Sequence, residues 1–225
     1  MGRVVEGLVY LLLKFATEKQ HLEEFRDGLL FMRPLAYFAR LEETCAGRGD
    51  RFEGTSAIIQ PKDSKVIIDT GNRGIGKIIA RPEDLAGPVR IVRSSTRSCD
   101  AYCMVAVRRV VDGGLVPIAV TKFGDWFVIV TNVSDFLSRV DGVMEAENSG
   151  ITRLERRLVE YCDTKEYSGE MGRFRKRTEY QHQSEFRIVV EPVSAEYRNF
   201  FVGSLRDITS EVLPSSAAWQ GWVVS

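Results

Sequence analysis

The chain has 225 residues, and its 31 lysines and arginines balance its 31 aspartates and glutamates, so its formal net charge is zero. A neutral chain has no overall field that would draw it to nucleic acid or to an anionic membrane, although a local basic patch stays possible. Hydrophobic residues make up 44% of the chain, which is enough for a packed core and excludes a disordered composition.

The apolar run at residues 8–13 is shorter than the roughly 20 residues of a membrane-spanning helix. Lys14 and a charged, helix-like segment follow it, where a signal peptide would have a small-residue cleavage site. The four cysteines are too few and too scattered for a disulfide framework, and none of their spacings matches a zinc site. The sequence therefore predicts a cytoplasmic protein with reduced thiols, no membrane contact and no metal.

The first third of the chain predicts a strand, a helix, a second strand and a second helix. Residues 4–15 are apolar, with β-branched and aromatic members, and predict a buried strand. Residues 18–27 have apolar positions at helical spacing, and Gly28 stands where a C-cap glycine belongs. Residues 29–32 predict a short strand, and Pro34 starts a helix.

The remainder is strand-rich. Short strands are predicted at residues 64–69, 89–93, 101–111, 115–121, 126–130 and 185–191. Asn132 or Ser134 caps a predicted helix at 135–140, and the glycine-rich segment 71–76 predicts an ordinary loop because it lacks the Lys-Ser/Thr ending of a phosphate loop. The pattern predicts one α+β domain over residues 1–225, with a mixed, mainly antiparallel sheet and a few helices concentrated in the N-terminal third.

A dense polar cluster leads directly into the last apolar strand. It contains Tyr180, His182, Gln183, Glu185 and Arg187. Each such group costs about 1–3 kcal/mol if it is buried without a partner, so the cluster either satisfies itself or lines a site. Glu185 and Arg187 are two residues apart on a strand and share a face, and His182 is the better placed of the two histidines for proton chemistry.

Two further charged segments are candidates for a functional site. Asp50 and Glu53 lie in a glycine-rich loop, where the simplest interpretation is caps and surface charges and the alternative is a metal or acid–base pair. The basic segment 165–177 predicts a long, exposed loop or hairpin, although a basic loop beside a pocket can also hold phosphate.

Several segments together resemble an uncharacterised family of bacterial and phage proteins. They cover the chain nearly end to end, at residues 25–38, 48–54, 122–125, 128–132, 136–140, 180–188 and 203–208. The family implies no assured activity.

A second resemblance, by contrast, implies a specific enzymatic activity. The opening order of strand, amphipathic helix ending in glycine, strand and aromatic-containing helix is similar to the NAD-binding front half of ADP-ribosyltransferases. Gln183-Ser184-Glu185 has the form of the Gln-x-Glu element that begins a late strand in those enzymes. The resemblance implies that Glu185 stabilises the positive charge that builds on the ribose, and that Gln183 orients the acceptor.

The same resemblance implies a set of residues for binding NAD. Arg33, Lys14 or both would pair with its pyrophosphate, and Tyr37 or Phe38 would stack on the nicotinamide ring. If so, Tyr180, Gln183 and Glu185 should border a pocket whose other wall comes from residues 31–38. Glu185 should then lie beside a basic group, with Arg33 as the first choice and Lys14 as the second.

Three functions stay open. The first is an ADP-ribosyltransferase-like enzyme that uses NAD in phage–host conflict, as defence or counter-defence, on an unknown protein or nucleic-acid target. The second is a non-catalytic binding module that grips a partner with the loops at 48–54 and 173–177. The third is a metal-dependent nuclease built on Asp50, Glu53, His182 and Glu185.

Overall fold

The computed structural model describes residues 9–41, 50, 52–69, 71, 77–108, 123–146 and 149–219. Its helices are α1 Lys19–Arg26, α2 Leu35–Leu41, α3 Ser94–Arg97 and α4 Val133–Met144. Its strands are β1 Val9–Ala16, β2 Leu29–Pro34, β3 Ala57–Ile59, β4 Val66–Asp69, β5 Lys77–Ala80, β6 Val89–Ile91, β7 Asp100–Arg108, β8 Trp126–Val130, β9 Arg153–Leu158, β10 Glu160–Cys162, β11 Gly169–Glu170, β12 Arg175–Arg177, β13 Glu185–Glu191, β14 Arg198–Phe201 and β15 Leu213–Pro214.

The main sheet forks at β7. One edge of β7 pairs with β13, which in turn pairs with β9. The other edge has two partners: β1 pairs with its C-terminal half, and β2 pairs with its first two residues through Arg33 and Pro34. From the fork, β1 continues to β8 and β15, and β2 continues to β14. These pairings are antiparallel, whereas the short β10–β12 pair is parallel.

The core lies on both faces of the forked sheet. Alternate residues of β1 point to opposite faces, so Leu12 packs in the larger cluster beneath α1 and α4, and Leu13 packs in a smaller cluster with Phe127. Phe25 of α1 and Phe136 of α4 meet edge to face in the larger cluster, with their ring centroids 6.0 Å apart. The two helices therefore cover one face of the sheet.

The predicted α+β fold with a mainly antiparallel sheet is confirmed. Asn132 caps α4, its Oδ1 accepting a hydrogen bond from the Asp135 N–H at 3.0 Å. With 12 residues, α4 is the longest helix in the described ranges, and it lies outside the N-terminal third where helices were expected to concentrate. The predictions for residues 4–8, 48–49, 51, 72–76, 109–111 and 115–121 lie outside the described residues.

Among the helices that the structure describes, none combines the length and the apolar content needed to cross a bilayer.

Candidate functional site

A cavity of about 270 Å³ is built by residues from β1, α2, β7, β12 and β13. Most of its wall is apolar, and much of that wall is aromatic; the residues that form it are Leu13, Phe15, Phe38, Cys103, Met104, Val105 and Phe123. Its polar lining comes from Lys176, Gln183 and Glu185. We name this space the aromatic cavity. A few polar groups set in an apolar wall are typical of small-molecule sites.

A kink in the backbone brings Gln183 and Glu185 to the same cavity. Gln183 ends a 3₁₀ turn, Thr178–Gln183, and Ser184 follows in the left-handed conformation with φ 41°. The Ser184 hydroxyl donates to the carbonyl of Ala106 at 2.8 Å, which ties the kink to β7. Glu185 then begins β13, opposite Val105. The side chains on either side of Ser184 therefore both line the cavity.

The three polar lining residues belong to a network of buried polar and charged side chains. Its members are Glu53, Lys176, Gln183, Glu185 and Arg187, and we name it the buried network. The two Glu185 oxygens bind Arg187 Nε and Lys176 Nζ, each at 2.7 Å. Arg187 also holds Glu53 through two hydrogen bonds of 2.7 and 3.1 Å. Lys176 donates to Gln183 Oε1 at 2.9 Å and lies 3.3 Å from Glu53.

The pairing fixes the charge state of Glu185 and Lys176. Burial alone would raise the pKa of the Glu185 carboxyl, but Arg187 and Lys176 hold that pKa well below its ordinary value. Burial would likewise lower the pKa of the Lys176 ammonium, but Glu185 and Glu53 raise it above its ordinary value. Glu185 is therefore ionised, and Lys176 protonated, across the neutral range.

A second ion group adjoins the first. Arg177 follows Lys176 on β12 and pairs with Asp50 Oδ1 at 2.9 Å and with Glu179 at 3.0 Å. Its Nη2 donates to the Tyr180 hydroxyl at 2.9 Å. Asp50 is fully buried. Tyr180 thus supports Arg177 and is not among the residues that line the aromatic cavity.

Two expectations drawn from charge alone are wrong. Asp50 and Glu53 are not surface charges, since both are buried and ion-paired. Segment 165–177 is not wholly an exposed loop, because it contains β11 and β12 and buries Lys176 and Arg177. Both cations lie on β12, which pairs in parallel with β10. Segment 173–177 therefore keeps most of the Lys176 and Arg177 side chains away from solvent.

Arg33, the basic residue expected first beside Glu185, lies elsewhere. The Arg33 guanidinium carbon is 4.9 Å from the Phe31 ring centroid and 4.7 Å from that of Tyr37, in an outer aromatic cluster. Arg33 was therefore the wrong first choice, and Lys176 and Arg187 hold its expected place. Of the two aromatic candidates on α2, Phe38 lines the cavity, and Tyr37 packs edge to face against Phe38 with ring centroids 5.6 Å apart.

Lys14 lies close to the fork of the sheet. Its Nζ donates to the Cys103 carbonyl at 3.0 Å and lies 3.9 Å from the centroid of the Tyr102 ring. Burial lowers the pKa of the Lys14 ammonium to about 8, against the opposing effects of Cys103 and Glu185. Lys14 is not among the residues that line the aromatic cavity.

We expect Lys14 to lose its proton near pH 8, whereas an ordinary lysine has a pKa of 10.5. Titration of the NMR shift of the Lys14 Cε carbon measures this directly, and the missing signal in Lys14→Arg assigns it. The remaining lysine signals in the same spectra are the internal reference. A midpoint at the ordinary value would contradict the burial of this amine.

The remaining candidates are less suited to chemistry. The His182 ring stacks near Phe123 with centroids 6.2 Å apart, and its Nδ1 lies 3.0 Å from the Glu179 carbonyl oxygen, outside the cavity lining. Burial raises the pKa of the Cys103 thiol to about 12, so this cavity residue is a weak nucleophile. In the ranges that the structure covers, no three His, Cys, Asp or Glu side chains are grouped to hold a metal ion.

No family model, curated protein or solved structure matches this chain. Function is therefore inferred from the aromatic cavity and the buried network.

Proposed function

We propose that the chain is an ADP-ribosyltransferase-like enzyme that uses NAD as its substrate. The observation that carries the proposal is the meeting of Gln183 and Glu185 at the polar side of an aromatic-walled cavity. The C1′–nitrogen bond of NAD would break with its electron pair leaving on nicotinamide. A nucleophile of the target would bond to C1′ and release its proton. The resemblance to a bacterial and phage family favours a role in phage–host conflict.

The size of the cavity limits what it can enclose. Ligand pockets for drug-sized molecules span about 300–1,000 Å³. At about 270 Å³ the aromatic cavity is smaller than that, so it suits one ring and its sugar rather than a whole dinucleotide. Nicotinamide and its ribose would lie inside, and the rest of NAD would extend outward. Phe15 and Phe38 line the wall on which the planar ring would stack.

Glu185 has the charge that the reaction requires. Positive charge develops on the ribose as the glycosidic bond breaks, and an ionised carboxylate in a poorly solvated site stabilises it. A carboxylate that accepts a ribose hydroxyl binds more tightly in such a transition state than in the ground state. Arg187 and Lys176 keep Glu185 ionised and fix its position. The Gln183 amide lines the same cavity and would orient the incoming nucleophile.

The substitution that tests the proposal is Glu185→Asp, because it keeps the buried charge and shortens the side chain. We expect the rate of transfer from labelled NAD to fall by about 100-fold or more, since the carboxylate no longer reaches the ribose. Binding of NAD, measured by calorimetry, should change by less than about threefold. Glu145→Asp, at an exposed position after α4, is the matched control and should keep full activity.

Two results would overturn this proposal. One is full activity in Glu185→Asp. The other is the absence of binding of NAD and of nicotinamide riboside at millimolar concentration.

One observation favours a second candidate, a non-catalytic module that binds a ligand in the same cavity. Both Glu185 oxygens already bind cations, which lowers the net negative charge that the carboxylate presents to a ligand. In that case a ring compound would bind without turnover, and Glu185→Asp would change affinity only. Mass spectrometry of the ligand after prolonged incubation with the protein and a cell lysate separates the two, since only the enzyme releases nicotinamide.

A further inference from the structure

A second cavity, of about 880 Å³, is lined in part by Arg177. Its charged lining consists of Arg40, Arg90, Arg97, Lys165, Arg177 and Glu179. Among the residues that the structure describes, five cations thus face one carboxylate, in a chain whose formal net charge is zero. We name this space the basic cavity.

The cations come from parts of the chain that are distant in sequence. Arg40 lies in the last turn of α2, Arg90 lies in β6, and Arg97 ends α3. Lys165 precedes β11, and Arg177 ends β12. A run of adjacent basic residues is ordinarily a solvated surface, but convergence from several separate elements requires the fold to hold like charges together. Such an arrangement costs free energy unless an anion lies among the cations.

Glu179 supplies the carboxylate that the structure describes in this lining, and it is already ion-paired. Glu179 pairs with Arg177 at 3.0 Å, and Arg177 also binds Asp50 at 2.9 Å. Arg177 and Glu179 therefore offset each other, and Arg40, Arg90, Arg97 and Lys165 are the further basic residues that the structure describes in the lining.

Arg97 is the most enclosed of these four cations. Its Nε is buried and has no hydrogen-bond partner among the described residues, and its Nη2 makes only a long contact of 3.4 Å with the Glu53 carbonyl. A Cβ at Gly54 would lie 2.7 Å from Arg97 Cγ, so the absent side chain at Gly54 leaves room for the arginine. Burial lowers the pKa of the Arg97 guanidinium, and the charges of Arg90 and Arg40 lower it further.

We propose that the basic cavity binds a ligand that carries two or more phosphate groups. Guanidinium groups present paired donors that match phosphate oxygens, and several of them are arranged here around one space. A volume of about 880 Å³ is large enough for a nucleotide or for a short stretch of a nucleic-acid backbone. The proposal does not depend on the chemistry proposed for the aromatic cavity, since the two cavities have different linings.

The test uses inorganic pyrophosphate as the probe, titrated into the full chain by calorimetry at low ionic strength. We expect saturable binding that weakens by about tenfold or more in the double variant Arg40→Gln/Arg90→Gln. Both side chains are exposed, so the variant should fold, and its melting temperature checks this. The charge-matched control is Lys62→Gln/Arg81→Gln, at exposed positions outside the lining, and it should bind within about twofold of the parent.

The same titrations with ADP and with a short single-stranded oligonucleotide identify the source of the phosphates. Tighter binding of ADP than of pyrophosphate would support a free nucleotide. Tighter binding of the oligonucleotide, with a steep loss of affinity as salt is raised, would support a nucleic-acid strand. Failure of pyrophosphate to bind at about millimolar concentration would overturn the proposal. Equal weakening in both double variants would also overturn it, since binding would then reflect overall charge.

Discussion

Replacing Arg187 with methionine is expected to destabilise the protein by about 3–5 kcal/mol, because it leaves two buried carboxylates without their main partner. Arg187 is 1% exposed, and it binds Glu53 through two nitrogens and Glu185 through a third. Lys176 would be the remaining cation of the buried network and would face both carboxylates. The free energy of unfolding, measured in urea, gives the loss.

The matched control is Arg153→Met on β9. Arg153 also pairs with a glutamate, Glu155, at 2.9 Å, but its side chain is 57% exposed. We expect this change to cost less than about 1 kcal/mol, as exposed ion pairs do. If Arg187→Met does not fold, Glu53→Gln/Arg187→Met gives the measurement, since removing one charge of each sign should restore part of the stability. Equal losses in the two single variants would show that the network is not desolvated.

The difference in stability between the parent protein and Arg187→Met should depend on pH. The pKa of Glu185 is lower in the folded protein than its ordinary value of 4.5. Its contribution to stability is therefore complete above that value and is lost as the pH falls through the lowered folded pKa. The deficit of Arg187→Met relative to the parent should accordingly shrink in strong acid, where Glu185 is protonated in both proteins.

The buried network could not have been predicted from local sequence. Glu53 and Arg187 are separated by 134 positions in the sequence. Each is a charged residue of a type that is ordinarily found at the protein surface. These charged side chains become buried only when β12, β13 and the loop before β3 pack together. The elements that were predicted well, α4 with its Asn132 cap and β13 from Glu185 onward, carry their signals within a few residues.

The order of strands in the sheet explains the error about Arg33. For Arg33 to lie beside Glu185, β2 and β13 would have to be neighbours in the sheet. In the structure β7 lies between them, with β13 on one edge and β2 on the other. Sequence patterns indicate which segments are strands but not which strands adjoin, so the positions of Arg33 and Glu185 relative to each other could not be derived.

The second large effect is expected at Gly28, where substitution by alanine should cost about 3 kcal/mol or more. Gly28 joins α1 to β2, and its φ is 107°. Residues that have a side chain rarely adopt this backbone conformation. A Cβ there would lie 2.2 Å from the Gly203 carbonyl oxygen, which is backbone and cannot rotate aside. The Gly28 carbonyl also accepts from the Val202 N–H at 2.9 Å, so relief of the clash would weaken this contact.

Gly142→Ala provides the control for the same change of residue. Gly142 lies in the interior of α4, and a Cβ there would meet no atom within 4 Å. We expect this substitution to stabilise the protein by about 0.5–1 kcal/mol, because alanine favours the helix interior over glycine. Urea unfolding of the two variants should therefore shift in opposite directions. A loss at Gly28 no larger than about 1 kcal/mol would mean that the turn and residues 202–205 separate readily, and that the close packing at Gly203 contributes little to stability.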